Sequence, residues 1–277
     1  MPKLFFVPLP KTSDLSYPSN YRPISPLPVI PKSLERHIHK HLLQYLNNNK
    51  LIHQYQSGFR PDHSCHTALT RLCGSRMSAI NCSEIVGAVF FHSLEKLLIL
   101  WITLFYLRSY HSSKDSSSLT FFHFYLTNRT QYVFLYNEST SKGLVRYGVP
   151  QGSALGPLHF YIFINDLPLH ISNDKVSNDL FADDSSLHTR GKNIQLVETS
   201  LRGSLNEVAD RCDSDSMIIH PAKTKRMVIA TPQKHQLSPF QLKRTLEKTD
   251  NEQVHEHRIL GVTIDAEMKW QSHLNIV

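Results

Sequence analysis

Leu180-Phe181-Ala182-Asp183-Asp184, a short apolar run closed by two adjacent carboxylates, is the stretch that most constrains this chain. The apolar residues predict a buried strand, and the acids predict the turn that ends it, within a hairpin over about residues 177–190. Two neighbouring carboxylates repel each other and call for solvent or a metal. Magnesium suits such a pair, because it takes one or two protein carboxylates and leaves its other positions to water and substrate phosphates. Enzymes acting on nucleic acids use two such ions to stabilise the attacking and leaving oxygens of a phosphoryl transfer. An acidic hairpin turn is the plainer alternative, and the rest of the chain has to decide.

A chain of 277 residues, 40% of them hydrophobic, can bury a substantial core. No uninterrupted apolar run of membrane-spanning length occurs, since Leu97–Leu107 is short and meets Arg108. The start of the chain shows no secretory pattern, so an intracellular site in the nucleus or cytoplasm is expected, with no membrane partner. Cys65, Cys73, Cys82 and Cys212 lack metal or redox spacing, which predicts free thiols. The net charge of +7 is concentrated at the front, where residues 1–80 carry ten Lys and Arg against three acids. That asymmetry suggests a polyanionic partner or a solvated basic surface.

Proline-rich residues 1–30 predict extended segments and turns, with a strand at Leu4–Val7. Helices are expected over 33–46, with Leu34, Ile38, Leu42 and Tyr45 on one face, over 64–79 and over 94–108. Ile85–Phe91 is the clearest buried strand of the first half, whereas 119–126 fits helix or strand. Gly148–Gly152 reads as a tight loop leading to a helix that ends near Asp166. An amphipathic helix follows over 194–211, with Leu196, Leu201, Leu205 and Val208 inward. Met217–His220, Met227–Thr231 and Ile259–Ile264 read as strands. The order implies an α/β or α+β layer on an antiparallel sheet.

Five segments in order are more specific: Asn20-Tyr21-Arg22-Pro23-Ile24-Ser25, Gln56-Ser57-Gly58-Phe59-Arg60, Tyr125-Leu126-Thr127-Asn128-Arg129-Thr130-Gln131, Gly148-Val149-Pro150-Gln151-Gly152-Ser153 and Phe181-Ala182-Asp183-Asp184. Together they resemble the reverse transcriptase domain of non-LTR (LINE-type) retrotransposons. The resemblance runs on through His220–Lys225 and Leu260-Gly261-Val262. It implies a right-hand polymerase fold, with a basic fingers-like region at 1–85, a palm at 86–235, and the end of the palm and a beginning of a thumb at 236–277. It implies RNA-directed DNA polymerase chemistry on an RNA template and DNA primer, with deoxynucleoside triphosphates and Mg²⁺, or Mn²⁺ as substitute.

By the same resemblance, Asp183 and Asp184 are the metal ligands and Lys223 matches a palm lysine that can protonate the leaving pyrophosphate. An exposed lysine after a turn is an equal alternative for Lys223. Lys11 and Arg22 match positions near the triphosphate, and Gln151 and Gly152 belong to the loop that lies against the nascent base pair. Two positions depart from the family pattern. His92 stands where the third, metal-bridging aspartate belongs, and Leu97 stands where an aromatic polices the sugar 2′ position. With neither a preceding endonuclease nor a following zinc knuckle, the chain reads as a partial, degenerate copy with impaired chemistry. The alternative is a non-catalytic RNA- or DNA-binding remnant.

Overall fold

The structure is a computed structural model that describes residues 3–11, 13–17, 20–91, 95–96, 116–127, 129–135, 138–145, 152–214, 217–235, 245–246, 249–250 and 252–276. In chain order the main elements begin with strands β1 (Lys3–Pro10) and β2 (Tyr21–Ile24), helices α1 (Val29–Asn48) and α2 (Cys65–Asn81), and strand β3 (Ile85–Phe91). Helix α3 (Ser116–Leu126), strands β4 (Arg129–Leu135) and β5 (Gly143–Val145), and helix α4 (Gly156–Ile164) come next. Strands β6 (Ser177–Phe181) and β7 (Asp184–Gly191) then precede helix α5 (Ile194–Ser214). Strands β8 (Lys225–Ile229), β9 (Glu252–Gln253), β10 (Glu256–Ile259) and β11 (Val262–Asp265) complete the set. The elements group into two compact units, one formed by residues 1–52 and 96–164 and the other by 53–95 and 165–277.

In the first unit β1 pairs antiparallel with β2 and parallel with β4, which pairs antiparallel with β5. Helix α1 begins four residues before the position expected from the apolar pattern. Pro31 falls in its first turn, where a missing N–H costs nothing, and so does not bar the helix. Its packed stripe is also shifted. Leu34 is 52% exposed and Tyr45 faces outward, while Glu35 and Leu46 are buried with Ile38 and Leu42 beside them. Leu42 and Leu46 pack on Leu158, Tyr161 and Ile162 of α4, and Ile38 and Leu42 meet Phe122 and Leu155. The aromatic stretch that pattern left open is helix α3.

In the second unit a five-stranded sheet runs in the order β9-β8-β3-β7-β6, antiparallel throughout except where β8 meets β9. All seven residues of β3 are buried, as its continuous apolar run requires of a central strand. On one face Val86, Ala88 and Phe90 join Met227 and Ile229 under Leu72 and Ala79 of α2 and under Ile259 and Ile264. Each of the larger buried side chains, Val, Leu, Ile, Met or Phe, contributes roughly 1.5–3 kcal/mol relative to exposure. Helix α2 starts on a reciprocal cap, with Ser64 Oγ accepting from Thr67 N and Thr67 Oγ1 accepting from Ser64 N.

Helix α5 packs on β7 and β3, but Leu196 is 67% exposed, a correction to its expected inward face. The buried stripe is Ile194, Val197, Leu201, Leu205, Val208 and Cys212, and Leu196 falls off its helical spacing. Ile259–Ile264, expected as one strand, is a hairpin. Leu260 and Gly261 both take positive φ, which folds the run into the turn between β10 and β11. Of the expected helix at 94–108, Glu95–Lys96 is extended and the remainder lies outside the described residues. The four cysteines are free. Among the described residues no helix is long and apolar enough to cross a membrane.

Candidate active site

The β6–β7 hairpin carries the two acids as expected. Phe181 pairs with Asp184, so Ala182 and Asp183 form a two-residue turn. Ala182 adopts φ +55°, the left-handed backbone that hairpin turns of this length demand at their first central position. Asp183 is exposed at the tip and Asp184, the first residue of β7, is half-buried.

The turn is held in place by the segment that leads into the Gln56–Arg60 motif. Leu180 N donates to Tyr55 O at 3.1 Å and Ser57 N donates to Leu180 O at 2.9 Å, so Gln56 forms a single parallel bridge with Leu180 on the edge of β6. Gln56, fully buried, bends the chain onward by accepting from Gly58 N at 2.9 Å. Gly58 then lies so close to the turn that a Cβ there would stand 2.2 Å from Ala182 N and 3.0 Å from Ala182 Cα. Only glycine permits that approach. The Gln-Ser-Gly-Phe sequence is therefore the seat of the double-acid turn.

A charged cluster fixes the same hairpin against α2. Arg71 reaches from α2 to Asp179 of β6 at 2.8 Å and to Tyr55 O at 3.0 Å, with its guanidinium 5.2 Å above the Tyr55 ring. Arg76, five residues further along α2, is fully buried with its guanidinium 5.2 Å over the Phe90 ring. Burial lowers its pKa to about 10, and the charge of Asp179 opposes that fall, so it stays cationic at neutral pH. His188 of β7 approaches Asp179 at 3.4 Å. Burial, and then the positive Arg76, push its pKa down to about 4 despite Asp179.

Neutral His188 has a measurable consequence. Its folded pKa lies below the unfolded value of about 6.5, so its contribution is complete above that pH and is lost as pH falls toward 4. The expected loss approaches about 3 kcal/mol over that window. Urea unfolding at pH 7, 6 and 5 measures the slope, and His188→Gln is expected to flatten it by about one proton. An unchanged slope in the variant would refute the assignment.

Lys223 is exposed in a single helical turn, Pro221–Lys223, just before β8. Lys225 and Ser186 both pair with Phe90 of β3, one on each side, so the register puts Lys223 and the double-acid turn at the same end of the sheet. In the first unit, Lys11 N donates to Asn20 O at 2.7 Å and Arg22 pairs with Leu9, which places Lys11 and Arg22 on the same exposed face of the β1–β2 ribbon. Gly152 has φ +103°, and a Cβ there would stand 2.9 Å from Ser25 O. That contact joins the end of the Asn20–Ser25 segment to the start of the Gly152–Ser153 turn. His92, Leu97 and Gln151 lie outside the described residues. Strand β3 ends at Phe91, opposite Ser185, and His92 is the next residue in the sequence.

Residues 9–264 match the family model described as Reverse transcriptase (RNA-dependent DNA polymerase). The chain belongs to the reverse transcriptase family. Its curated relatives include the Probable RNA-directed DNA polymerase from transposon BS of Drosophila melanogaster, 27% identical over 93% of this chain and 28% of that protein. The RNA-directed DNA polymerase from mobile element jockey of the same organism is 25% identical over 92% of this chain and 28% of that protein. The chain thus spans little more than a quarter of these relatives.

Among solved structures, apo telomerase from Candida tropicalis, truncated from its C-terminal domain, superposes with TM-score 0.62 at 11% identity, over 95% of this chain and 53% of that one. Telomerase from Candida albicans in complex with a TWJ fragment of telomeric RNA gives 0.60 at 11% identity, over 96% of this chain and 44% of that one. The reverse transcriptase chain accordingly has the right-hand polymerase fold of fingers and palm, with the antiparallel palm sheet the sequence implied.

Membership of this family implies a divalent metal. Among the described residues no group of three or more His, Cys, Asp or Glu side chains gathers into a ready-made cage. Two carboxylates at an accessible hairpin tip nevertheless fit an ion that takes one or two protein oxygens and keeps its waters.

Proposed function

We propose that the chain is the reverse transcriptase part of a non-LTR retrotransposon polymerase. Residues 1–85 serve as fingers, 86–235 as palm, and 236–277 as the end of the palm leading into a thumb. The observation that carries the reading is the Asp183–Asp184 turn, seated on Gly58 beside the end of β3. Asp183 and Asp184 would hold Mg²⁺, with Mn²⁺ as substitute. The bound ions would activate the primer hydroxyl and neutralise charge on the transferring phosphate. Lys223 lies at the same sheet end to supply a proton to the departing pyrophosphate. Lys11 and Arg22 offer cationic groups to the triphosphate, Arg22 with a fork that can pair two phosphate oxygens. By the family pattern Gln151 and Gly152 belong to the loop that would lie against the nascent base pair, and Leu97 takes the sequence position of the aromatic that polices the sugar. RNA template, DNA primer and deoxynucleoside triphosphates are the substrates, and His92 weakens the chemistry.

The test pairs primer extension on an RNA template with Mn²⁺ binding followed by electron paramagnetic resonance. Wild type is expected to bind Mn²⁺ and extend slowly, and Asp183→Ala to lose both. Extension and Mn²⁺ binding that survive Asp183→Ala would refute the site. Salt-sensitive binding of the primed template without any extension would favour the non-catalytic remnant.

A further inference from the structure

Glu35 was absent from the expected inward face of α1, yet it is one of the two buried residues of that helix. One carboxylate oxygen accepts from the Tyr125 hydroxyl of α3 at 2.7 Å, and the other accepts from Ala154 N at 2.6 Å. Ser153 completes the connection. Its hydroxyl bonds the Tyr125 phenol and accepts from Gly156 N at 2.7 Å, at the start of α4. Ile38, Leu42, Phe122 and Leu155 pack together beside it, the Tyr125 ring stacks on buried His159 at 6.0 Å, and the charge of buried Arg129 acts on Tyr125. Burial raises the Tyr125 pKa well above the usual phenol value, so the phenol remains a donor.

A carboxylate is costly to bury without donors, and here the Tyr125 hydroxyl and Ala154 N supply them. The carboxylate's distinct contribution is to the backbone amide of Ala154, two residues after Gly152, through a charge-assisted bond stronger than a neutral one. It joins α1, the aromatic helix α3 and the Gly152–Ala154 turn at one point. Gly152 is itself pressed against Ser25 O. The turn is therefore pinned on both sides.

We propose that Glu35 is the positioning residue of the Gly152–Ala154 turn, and that it thereby governs affinity for the incoming deoxynucleoside triphosphate. The second half rests on the polymerase reading above; the first half does not. A glutamine in its place can accept from Ala154 N through Oε1 and donate its NH₂ to the phenol oxygen, which also accepts. Alanine can do neither.

The experiment uses the full chain as wild type, Glu35→Gln, Glu35→Ala and Tyr125→Phe. Amide hydrogen exchange is read at residues 152–156 against α1, α3 and α4. Binding of dTTP is measured on a primed RNA template whose DNA primer ends in a dideoxynucleotide. Glu35→Ala is expected to speed exchange at the turn by about tenfold, the factor a single lost hydrogen bond represents, and to weaken dTTP binding comparably. Glu35→Gln should restore both toward wild type, and Tyr125→Phe should fall between.

Unchanged exchange at 152–156 in Glu35→Ala, or protection lost evenly across all three helices, would overturn the anchor. A loosened turn with unaltered dTTP affinity would overturn the nucleotide role. A wild type that binds no dTTP would count against the polymerase reading and the nucleotide role together, with exchange still deciding the anchor.

Discussion

His92→Asp is expected to raise the rate of RNA-templated primer extension by roughly 10³-fold in Mg²⁺. Strand β3 delivers its chain to the double-acid turn with Phe91 opposite Ser185, and His92 is the next residue. A carboxylate there can offer two anionic oxygens and bridge two cations. Imidazole offers one neutral nitrogen to an ion that prefers oxygen, and it cannot bridge. Several kcal/mol of transition-state stabilisation at that point correspond to the stated factor. Single-turnover extension by wild type, His92→Asp and His92→Asn separates charge from size, with Asn expected to stay close to wild type. Vigorous wild-type extension that His92→Asp leaves unchanged would show that the missing anion is supplied elsewhere.

Gly58→Ala carries the second large effect. The added methyl would meet backbone nitrogen at 2.2 Å, and no side-chain rotation can relieve a backbone contact. Overpacking of this kind costs about 1–3 kcal/mol, and the strain falls on the turn that aims Asp183 and Asp184. Displacing that turn by about 1 Å is expected to cut extension roughly 10²-fold, beyond what the loss of folded protein explains. Circular dichroism melting reads stability, and Mn²⁺ affinity reads the geometry of the acids. A variant that melts lower yet binds Mn²⁺ as wild type would reduce Gly58 to a packing role.

Much of the site was legible because its chemistry is local in sequence. The apolar run before Asp183 and Asp184 reads as a strand closed by a turn, and the hairpin appears at the expected residues, although of the run only Leu180 is buried and Ala182 belongs to the turn. What escaped was held by long-range contacts. Gln56–Gly58 looks like an ordinary turn until β6 is laid alongside it. Glu35 looks like a surface charge because apolar periodicity counts hydrophobic residues and passes over a carboxylate whose partners lie 90 and 119 positions away. Leu196 misled for the opposite reason, since an apolar residue near the start of a helix need not lie on its packed stripe. Leu260-Gly261 hid a turn inside an apolar run because positive φ at two successive residues leaves little trace in hydrophobicity.

Both compact units are discontinuous in the chain, and this bears on how the polypeptide is made. Residues 53–95, including central strand β3, leave the ribosome before the second half of the first unit, yet their strand partners β7 and β8 arrive only after residue 183. Until then a fully apolar strand waits with both edges unpaired, a state prone to associating with other chains. The first unit meets the same delay, since Lys3–Phe6 must await Thr130–Val133 for its parallel partner. Closing such distant contacts is entropically slow. The newborn chain thus depends on whatever shields β3 during the interval between its synthesis and the arrival of the hairpin that bears the two acids.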